Sequence, residues 1–381
     1  MRFSVDAHAI GRHLTGNEAY VRNLLHGFAA LDDNSDFIAY VSVPGAEAWV
    51  PSRFQTRRVS GNPFVRLGFD LSQKLRQDRP DLVHVQYTAP LACPVPVVVS
   101  IHDVSFLEKP EFFTHARRLQ LQHTVRRTVQ GAARVLTLSE FSRQGIARAY
   151  KMDPARIAVV PAAVSNAFCP IPRQSARAFV EGRFKVPGPF ILTVGDLQPR
   201  KNQIGLIEAF EELICAHPDL PHHLMLVGKE TWFAPQVHQA ARKSLLRDRI
   251  HFTDYVNEKE LLQLYNACDI FVFPSFYEGF GLPILEAMAC GRAVACSNSS
   301  AMPEVADSAG LLFDPSNTGE IVRAMKDLLL NSELRLRMER LGLQNASQFS
   351  WQRTAQMTLE VYHEVAGAGK VKSSKAAVVR S

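Results

Sequence analysis

The sequence lacks the patterns of a disulfide-stapled, membrane-spanning or disordered chain. Its six cysteines are scattered without a CxxC pair, which favours reduced packing residues in a cytosolic protein. The longest apolar stretch, Leu82 to Ile101, is broken by His84 and by three prolines, so it does not form a membrane span. The fractions of glycine and proline in the sequence are too low to indicate disorder. These exclusions leave a globular chain, and its length of 381 residues suggests two or three domains.

Several ligand-binding signatures are also missing. No GxGxxG follows a strand with an acidic residue about 20 positions later, which argues against a dinucleotide oxidoreductase. No DxD sequence and no Asp/His cluster with metal spacing occurs, so we predict neither a metal nor a cofactor. The net charge of +6 favours anionic partners, but no aromatic-basic motif accompanies it, so nucleic acid is not expected. The chain opens directly into a strand without a secretory signal, which predicts a cytoplasmic protein.

Strand and helix patterns alternate along both halves of the chain, which predicts parallel sheets covered by helices. A proline-rich stretch without clear periodicity, Pro161 to Gly188, is the candidate linker between the halves. The predicted strands cover residues 3–10, 37–43, 82–86, 95–102, 134–138 and 157–164 before the linker, and 190–194, 223–228, 250–256, 269–275, 293–296 and 311–315 after it.

The stretch SFYEGFGLPILEAMACG, residues 275–291, carries the most specific signal. An apolar strand leads into it, Gly279 and Gly281 allow a sharp turn, and Pro283 suits the first turn of a helix. Free amide groups and the positive end of the helix dipole make such a turn an anion site. Glu278 and Glu286 frame the turn, and their carboxylates suit the hydroxyl donors of a ribose or a sugar. Each glutamate alone could equally be a solvated surface residue.

The string E-G-F-G-L-P-I-L-E resembles the E-x7-E signature of the retaining glycosyltransferases called group 1, including bacterial mannosyltransferase-like members. The resemblance implies an α/β chain of GT-B architecture, with two Rossmann-like domains facing each other across a cleft. It predicts an acceptor domain over residues 1–168, completed by a crossing helix at 351–367. A nucleotide-sugar donor domain follows at 169–350. The tail, 369–381, is basic and patternless, and we expect it to be flexible.

The resemblance also assigns catalytic roles. Arg200 and Lys201 lie in the turn at the carboxyl end of the predicted strand 190–194 and match the family's diphosphate clamp, although an isolated Arg-Lys pair is often plain surface. Glu278 is expected near the transferred sugar and Glu286 at the ribose. His102 follows a strand in IHDVSFLEKPEFF, which is similar to a segment whose histidine faces the donor sugar in mannosyltransferase-like relatives. A structural role for that histidine is the alternative.

The remaining predicted donor contacts are turns and backbone groups. They comprise Gly16, Gly195, Tyr255, Val256, Gly279, Phe280, Gly281 and Leu282. Gly16 lies in a predicted turn over residues 11–17, which could also be an ordinary strand-to-helix loop. Residues 161–168 read PAAVSNAF, which departs from the Asn-Gly that family members often carry after this proline.

These observations predict transfer of a hexosyl group, mannose favoured, from a nucleoside diphosphate sugar to an acceptor hydroxyl. GDP-mannose is favoured over UDP-sugars, and the acceptor is a glycan, a lipid-linked group or a small molecule. A nucleotide-sugar epimerase of the same fold and a non-catalytic binding subunit are the alternatives. Between Phe112 and Lys151 there are eight basic residues and one acidic residue. This surface could contact an anionic membrane, receive an acidic acceptor, or simply be solvated.

Overall fold

The computed structural model of the protein describes residues 1–12 and 15–378, and side chains for residues 1–12 and 16–368. The chain forms two compact units. The first comprises Met1–Ala162 and Ser350–Ser381, and the second comprises Ala163–Phe349. The division falls a few residues before the boundary at 168 that the sequence suggests, and each unit contains its own parallel sheet.

The first unit is built on a seven-stranded sheet within the described residues, in the order β3-β2-β1-β4-β5-β6-β7. Every neighbouring pair is parallel, and the central strands are buried on both faces. The strands are β1 (Arg2–Asp6), β2 (Asp36–Val41), β3 (Phe54–Arg58), β4 (Leu82–Gln86), β5 (Val97–Ser100), β6 (Arg134–Thr137) and β7 (Ile157–Val159). The helices between them are α1 (Thr15–Ala29), α2 (Pro63–Val65), α3 (Leu71–Asp78), α4 (Ser105–Glu108), α5 (His115–Gly131) and α6 (Glu140–Tyr150).

The second unit contains a six-stranded parallel sheet within the described residues, in the order β10-β9-β8-β11-β12-β13. Its strands are β8 (Phe190–Val194), β9 (His223–Val227), β10 (Ile250–Phe252), β11 (Ile270–Phe273), β12 (Ala293–Ser297) and β13 (Gly310–Phe313). Its helices are α7 (Arg173–Phe184), α8 (Gln203–Ala216), α9 (Ala234–Lys243), α10 (Glu258–Ala267), α11 (Leu282–Ala289), α12 (Met302–Ala306), α13 (Thr318–Leu330) and α14 (Ser332–Ala346). Strands β8 and β11 consist mostly of apolar residues, and their side chains are part of the unit's buried core.

Several elements differ from the sequence prediction. Besides the three differences described next, β7 ends at Val159 rather than at residue 164, and β10 ends at Phe252 rather than at residue 256. The predicted linker contains helix α7, whose Ala176 and Val180 are buried. Strand β3 was not predicted, because its sequence FQTRR is mostly polar at the edge of a sheet. The first strand ends at Asp6 rather than Ile10, because residues 7–10 form a turn.

The last helix, α15 (Trp351–Val378), belongs to the first unit and packs on α1. A Cβ added at Gly27 of α1 would lie 2.5 Å from the Trp351 carbonyl oxygen, so glycine permits the close contact. The predicted patternless tail begins at residue 369 within this helix, and residues 379–381 lie outside the described residues.

A buried hydrogen-bonded chain attaches α15 to the sheet. The Tyr362 hydroxyl lies 2.7 Å from His84 Nδ1, and His84 Nε2 lies 2.7 Å from Ser100 Oγ. Burial and, to a smaller extent, nearby His102 lower the pKa of His84 to about 3, so the ring is neutral at pH 7. A neutral ring can donate from one nitrogen and accept at the other, which satisfies both contacts.

Replacing Tyr362 by Phe should therefore destabilise the first unit. The substitution leaves a buried His84 nitrogen without its partner, and we expect the free energy of unfolding to fall by about 1–3 kcal/mol. Urea unfolding followed by circular dichroism measures the loss. Tyr150→Phe is the matched control, because the Tyr150 hydroxyl is buried without a hydrogen-bond partner among the described residues. Equal stability of the two variants would contradict this role for Tyr362.

Candidate active site

The glycine-containing bend predicted from the sequence connects β11 to α11. Gly281 precedes the helix with φ +124°, a conformation that side-chain-bearing residues rarely adopt. A Cβ there would also lie 3.1 Å from the Ile284 side chain. Pro283 occupies the first turn of α11, where its missing amide hydrogen is not needed. The bend is therefore a strand, a glycine turn and a helix N-terminus, as the motif predicts.

Two neighbouring loops hold this bend in place. Ser300 Oγ accepts a hydrogen bond of 2.9 Å from the Glu278 amide, and Ser299 Oγ donates to the Phe276 carbonyl at 3.1 Å. On the other side, the Phe276 amide donates to the Arg200 carbonyl at 2.8 Å. The loop after β8 and the bend after β11 are thus joined through the backbone at the carboxyl ends of two adjacent strands.

Arg200 and Lys201 both reach Glu278. Arg200 Nη1 lies 2.5 Å from Glu278 Oε2 and donates to the Tyr277 carbonyl at 2.9 Å. Lys201 Nζ lies 2.7 Å from Glu278 Oε1 and 4.6 Å from the centre of the Phe273 ring. All three charged side chains are largely buried. The structure therefore brings together two cations and one carboxylate, which we call the ion cluster.

The electrostatics of the ion cluster follow from its composition. Burial alone would raise the pKa of Glu278, but Arg200 and Lys201 outweigh it and hold that pKa at about 2. Burial lowers the pKa of Lys201, and Glu278 opposes this by favouring the charged ammonium. Two cations and one carboxylate leave a net charge of +1 when all three groups are ionised, which favours an anionic ligand.

Gly195 and Gly228 allow close packing around the loop that carries Arg200 and Lys201. Gly195 has φ +155°, and a Cβ there would lie 2.9 Å from the Lys201 side chain. Gly228 has φ +153°, and a Cβ there would lie 2.2 Å from the Gly195 carbonyl oxygen. A side chain at position 228 would collide with the backbone of Gly195, so the loops after β8 and β9 approach this closely only with glycine at position 228. The positive φ of both residues also disfavours any other amino acid. Gly195 was predicted as a donor contact, whereas Gly228 was noted only as the end of a strand.

Glu286 is the fifth residue of α11 and lies apart from the ion cluster's hydrogen bonds. Its Oε2 accepts a hydrogen bond of 2.8 Å from the Tyr265 hydroxyl. Burial raises the pKa of Glu286 to about 7, although the Tyr265 hydrogen bond acts in the opposite direction. Tyr265 was not predicted, because it lies on a separate helix and no local spacing connects it to Glu286.

The predicted base-binding loops follow β9 and β10. Tyr255 is half exposed, Val256 is buried, and Lys229 Nζ lies 5.0 Å from the centre of the Tyr255 ring. The Lys229 amide donates to Asp196 Oδ1 at 3.2 Å, which connects this region to the loop that carries the clamp. The sequence did not single out Asp196. Its position directly after Gly195 is the signal that could have found it.

Two predicted residues belong to the first unit. His102 follows β5, and its ring meets the Tyr20 and Tyr87 rings edge-on at 4.7 and 5.6 Å. Both ring nitrogens are buried without a hydrogen-bond partner among residues 1–12 and 15–378. Burial lowers the pKa of His102 to about 4, with Asp103 opposing, so the ring is neutral at pH 7. A neutral ring with unpartnered nitrogens can contact a polar ligand.

Gly16 differs from its prediction. It is the second residue of α1 rather than part of the turn, and a Cβ there would meet no atom within 4 Å. Residues 13 and 14 of the predicted turn lie outside the described residues. Nothing in the described backbone therefore requires glycine at position 16.

In the described part of the chain, no three His, Cys, Asp or Glu side chains are grouped so that they could hold a metal ion. No helix within residues 1–12 and 15–378 has the length and hydropathy needed to cross a bilayer.

Sequence comparisons identify the family. The profile of "Glycosyl transferases group 1" matches residues 175–344, and that of "Glycosyltransferase Family 4" matches residues 14–167. The chain is 34% identical over 267 residues to the O-antigen chain mannosyltransferase B of Escherichia coli, covering 70% of this chain and 69% of that protein. The chain is a group 1 glycosyltransferase. The family resemblance inferred from the E-x7-E motif is therefore confirmed.

Other relatives carry related names. This glycosyltransferase is 30% identical over 231 residues to the serotype-specific mannosyltransferase WbdA of Escherichia coli, covering 59% of the chain but only 28% of WbdA. It is 30% identical over 280 residues to a D-inositol 3-phosphate glycosyltransferase of Paenarthrobacter aurescens, covering 71% of the chain and 67% of that enzyme.

Solved structures confirm the predicted GT-B fold of this glycosyltransferase. A sucrose-phosphate synthase from Thermosynechococcus elongatus matches with a TM-score of 0.77 at 18% identity, over 97% of this chain and 100% of that one. Anabaena HepE in complex with UDP and glucose matches with a TM-score of 0.74 at 20% identity, over 94% and 98%. At such low identity these similarities show the fold alone.

Replacing Glu278 by Gln should change how stability depends on pH. The folded-state pKa of about 2 lies below the usual value of 4.5, so the ionised carboxylate stabilises the protein above pH 4.5. This contribution is lost as the pH falls towards 2. It amounts to something on the order of 3 kcal/mol, and thermal melting at pH 7 and pH 3.5 measures it.

The Glu278→Gln variant should be less stable than the native chain at pH 7 and should lose less stability on acidification. Glu140→Gln is the control, because Glu140 forms an exposed i,i+3 pair with Arg143 that contributes little to stability. If Glu278→Gln and the control melt with the same pH dependence, the ion cluster does not stabilise the fold.

Proposed function

We propose that this glycosyltransferase transfers a hexosyl group, with mannose favoured, from a nucleoside diphosphate sugar to an acceptor hydroxyl in glycan, polysaccharide or glycolipid synthesis. We further propose that the anomeric configuration is retained and that the enzyme needs neither a metal nor a cofactor. One observation carries the proposal, namely the ion cluster of Arg200, Lys201 and Glu278 beside the glycine bend at the start of α11.

The chemical requirement is stabilisation of the leaving diphosphate. The bond between the anomeric carbon and the diphosphate oxygen breaks, and negative charge develops on that oxygen. The acceptor oxygen forms the new bond to the same carbon, and its proton passes to the diphosphate product or to solvent. The start of α11 contributes roughly 0.3–2 kcal/mol to binding an anion. The larger share falls to Arg200 and Lys201, because preorganised charges in a largely buried site stabilise a developing anion without reorganising.

Glu278 has three functions in this proposal. It holds Arg200 and Lys201 in position by pairing with both, and its low pKa keeps it ionised as a hydrogen-bond acceptor. An ionised carboxylate can accept hydrogen bonds from the hydroxyls of the transferred sugar. The carboxylate also limits the positive charge of the site, so that the diphosphate product is released rather than held too tightly.

The donor and the acceptor are inferred from relatives. The names of the O-antigen mannosyltransferase B and WbdA support mannose as the transferred sugar and a glycan as the acceptor. Solved HepE complexes with UDP and with UDP-glucose support a nucleoside diphosphate sugar as the donor. We favour GDP-mannose over UDP-sugars. His102, neutral and with both nitrogens unpartnered among the described residues, is proposed to contact the sugar.

Replacing either clamp residue should remove activity without unfolding the chain. We expect Arg200→Ala or Lys201→Ala to lower kcat for mannosyl transfer from GDP-mannose by about 100-fold or more. The physical reason is the loss of one charge that stabilises the leaving diphosphate. Release of GDP in the presence of an oligomannose acceptor measures the transfer, and circular dichroism measures folding.

Arg183→Ala is the control, because Arg183 is an exposed arginine of the same unit that pairs with Glu260. Near-normal kcat in both clamp variants would refute the clamp. An incubation with GDP-mannose alone separates the other functions, because an epimerase converts the sugar without an acceptor, whereas a binding subunit binds the donor and releases no GDP.

Glu286 should make donor binding depend on pH. With a pKa of about 7, its carboxylate is mostly protonated at pH 6 and mostly ionised at pH 8, and only the ionised form accepts two ribose hydroxyls freely. The Kd for GDP-mannose should therefore fall by up to about tenfold between pH 6 and pH 8. GDP-mannose suits calorimetry here because its diphosphate is esterified on both sides and does not titrate in this range.

The matched variant is Glu286→Gln, which keeps an oxygen that can accept the Tyr265 hydrogen bond but cannot ionise. Its Kd should be independent of pH and weaker than the native value at pH 8. A native Kd that stays constant over this range, or a variant with the native slope, would exclude the ribose role of Glu286.

A further inference from the structure

Tyr87 has a backbone conformation that a tyrosine rarely adopts. It directly follows β4, and its φ of +57° lies in the left-handed region. In that region the Cβ atom comes too close to the following carbonyl oxygen, so a bulky residue is found there only where the surrounding structure enforces it. Such strained positions are concentrated at functional sites.

The other positive-φ residues fall into two groups. Within the described part of the chain, seven residues other than glycine have a positive φ, Tyr87 included. Four of them directly follow an α-helix, where this is a common ending: Arg79, Lys151, Lys185 and Asp307. Asn202 follows Lys201 directly, and Ser300 Oγ accepts a hydrogen bond from the Glu278 amide. These two belong to the candidate active site. Tyr87 follows a strand rather than a helix, so it resembles the second group.

Hydrogen bonds on both sides fix the backbone of Tyr87. Its own amide donates to the Ser100 carbonyl of β5 at 3.0 Å. Two residues later, the Ala89 amide donates to Thr128 Oγ1 at 3.0 Å, and the Arg127 guanidinium donates to the Ala89 carbonyl at 2.5 Å. The chain is thus attached to the sheet at one point and to α5 at the next, so the strained conformation cannot relax locally.

The ring of Tyr87 contacts His102. The two ring centres lie 5.6 Å apart, and the ring planes form an angle of 69°. Tyr20 contacts the same imidazole at 4.7 Å with an angle of 72°. Edge-to-face contacts of this kind have a preferred geometry, so two aromatic rings restrict how the imidazole can turn.

Hydrogen bonds do not fix the orientation of this imidazole. Both nitrogens of His102 are buried without a partner among residues 1–12 and 15–378. Its backbone is held, because Ser142 Oγ donates to the His102 carbonyl at 3.0 Å. Tyr20 is completely buried and its hydroxyl lies 3.2 Å from Ser100 Oγ, so it is part of the core. Tyr87 is partly buried and is the ring contact that requires an unusual backbone.

The orientation of the imidazole decides what it can bind. In a neutral ring one nitrogen donates a hydrogen bond and the other accepts one. Turning the ring by half a revolution about its bond to Cβ puts a carbon at the place of each nitrogen, and the hydrogen bonds to a sugar hydroxyl are then lost. A group that must meet a reacting sugar therefore has to be held in one orientation.

We propose that Tyr87 is a positioning residue for sugar transfer. Its left-handed backbone conformation directs the tyrosine ring against His102, and this contact keeps the imidazole in the orientation that meets the transferred sugar. The inference rests on the proposed function, because the contact between His102 and the sugar is assigned there.

Transfer from GDP-mannose by variants of the full-length chain tests this role. Tyr87→Ala and Tyr87→Gly both remove the ring, and each should lower kcat at least about tenfold because His102 is no longer oriented. Tyr87→Phe keeps the ring and should retain most of the native kcat. Release of GDP in the presence of an oligomannose acceptor measures kcat. The Kd for GDP-mannose should change less than kcat, because the diphosphate and the ribose are assigned to residues of the second unit.

Comparing the alanine and glycine variants separates positioning from stability. Glycine adopts a positive φ without steric cost, so Tyr87→Gly should melt at a higher temperature than Tyr87→Ala. Both should nevertheless be equally slow, because both lack the ring. Tyr150→Ala is the matched control, since Tyr150 is another partly buried tyrosine that packs against the same core. It should lower the melting temperature and leave kcat at the native value.

A double-mutant cycle connects the effect to His102. Adding Tyr87→Ala to His102→Ala should lower kcat no further, because no imidazole remains to be positioned. A full additional loss in that background would overturn the proposal, as would a native kcat in Tyr87→Ala or a recovered kcat in Tyr87→Gly.

The native chain distinguishes this inference from the proposed function. If the native chain releases no GDP, the proposed transfer fails and the role of Tyr87 fails with it. If the native chain is active and any of the contrary variant results is found, the positioning role alone is refuted.

Discussion

The sharing of one carboxylate between two cations organises the candidate active site. Glu278 pairs with Arg200 and Lys201, and these residues come from loops at the carboxyl ends of the adjacent strands β8 and β11. Without the carboxylate the two largely buried cations would repel each other. Other features follow from this arrangement, because Gly195 must leave room for Lys201 and Ser300 must hold the amide of Glu278.

The two glutamates of the motif show that similar residues can acquire different properties from their surroundings. Both are withdrawn from water, which by itself raises the pKa of a carboxyl group. Glu278 faces two cations and has a pKa of about 2, whereas Glu286 faces a neutral Tyr265 hydroxyl and has a pKa of about 7. Glu278 is therefore ionised at neutral pH, whereas Glu286 is divided between its protonated and ionised forms.

The sequence allowed prediction of those elements that are marked by residues close together along the chain. The bounds of β8 were predicted to the residue, because its apolar run is followed directly by a glycine turn. The glycine bend was predicted because glycine, proline and strand lie next to each other in the sequence. Helix α7 was missed because prolines before it suggested a linker. Contacts between separate elements, such as Tyr265 with Glu286, leave no mark in local spacing.

The segment around Phe64 carries two unfavourable contributions to the free energy of folding. Leaving a phenylalanine in water forfeits roughly 1.5–3 kcal/mol relative to burying it, and burying Arg66 with Asp6 carries a desolvation penalty that the ion pair offsets only in part. A sequence with an apolar residue at 66 and polar residues at 64 and 69 would avoid both costs. Because the guanidinium of Arg66 is held at the buried carboxylate of Asp6, the neighbouring side chains of Phe64 and Phe69 are left on the solvent side of the segment.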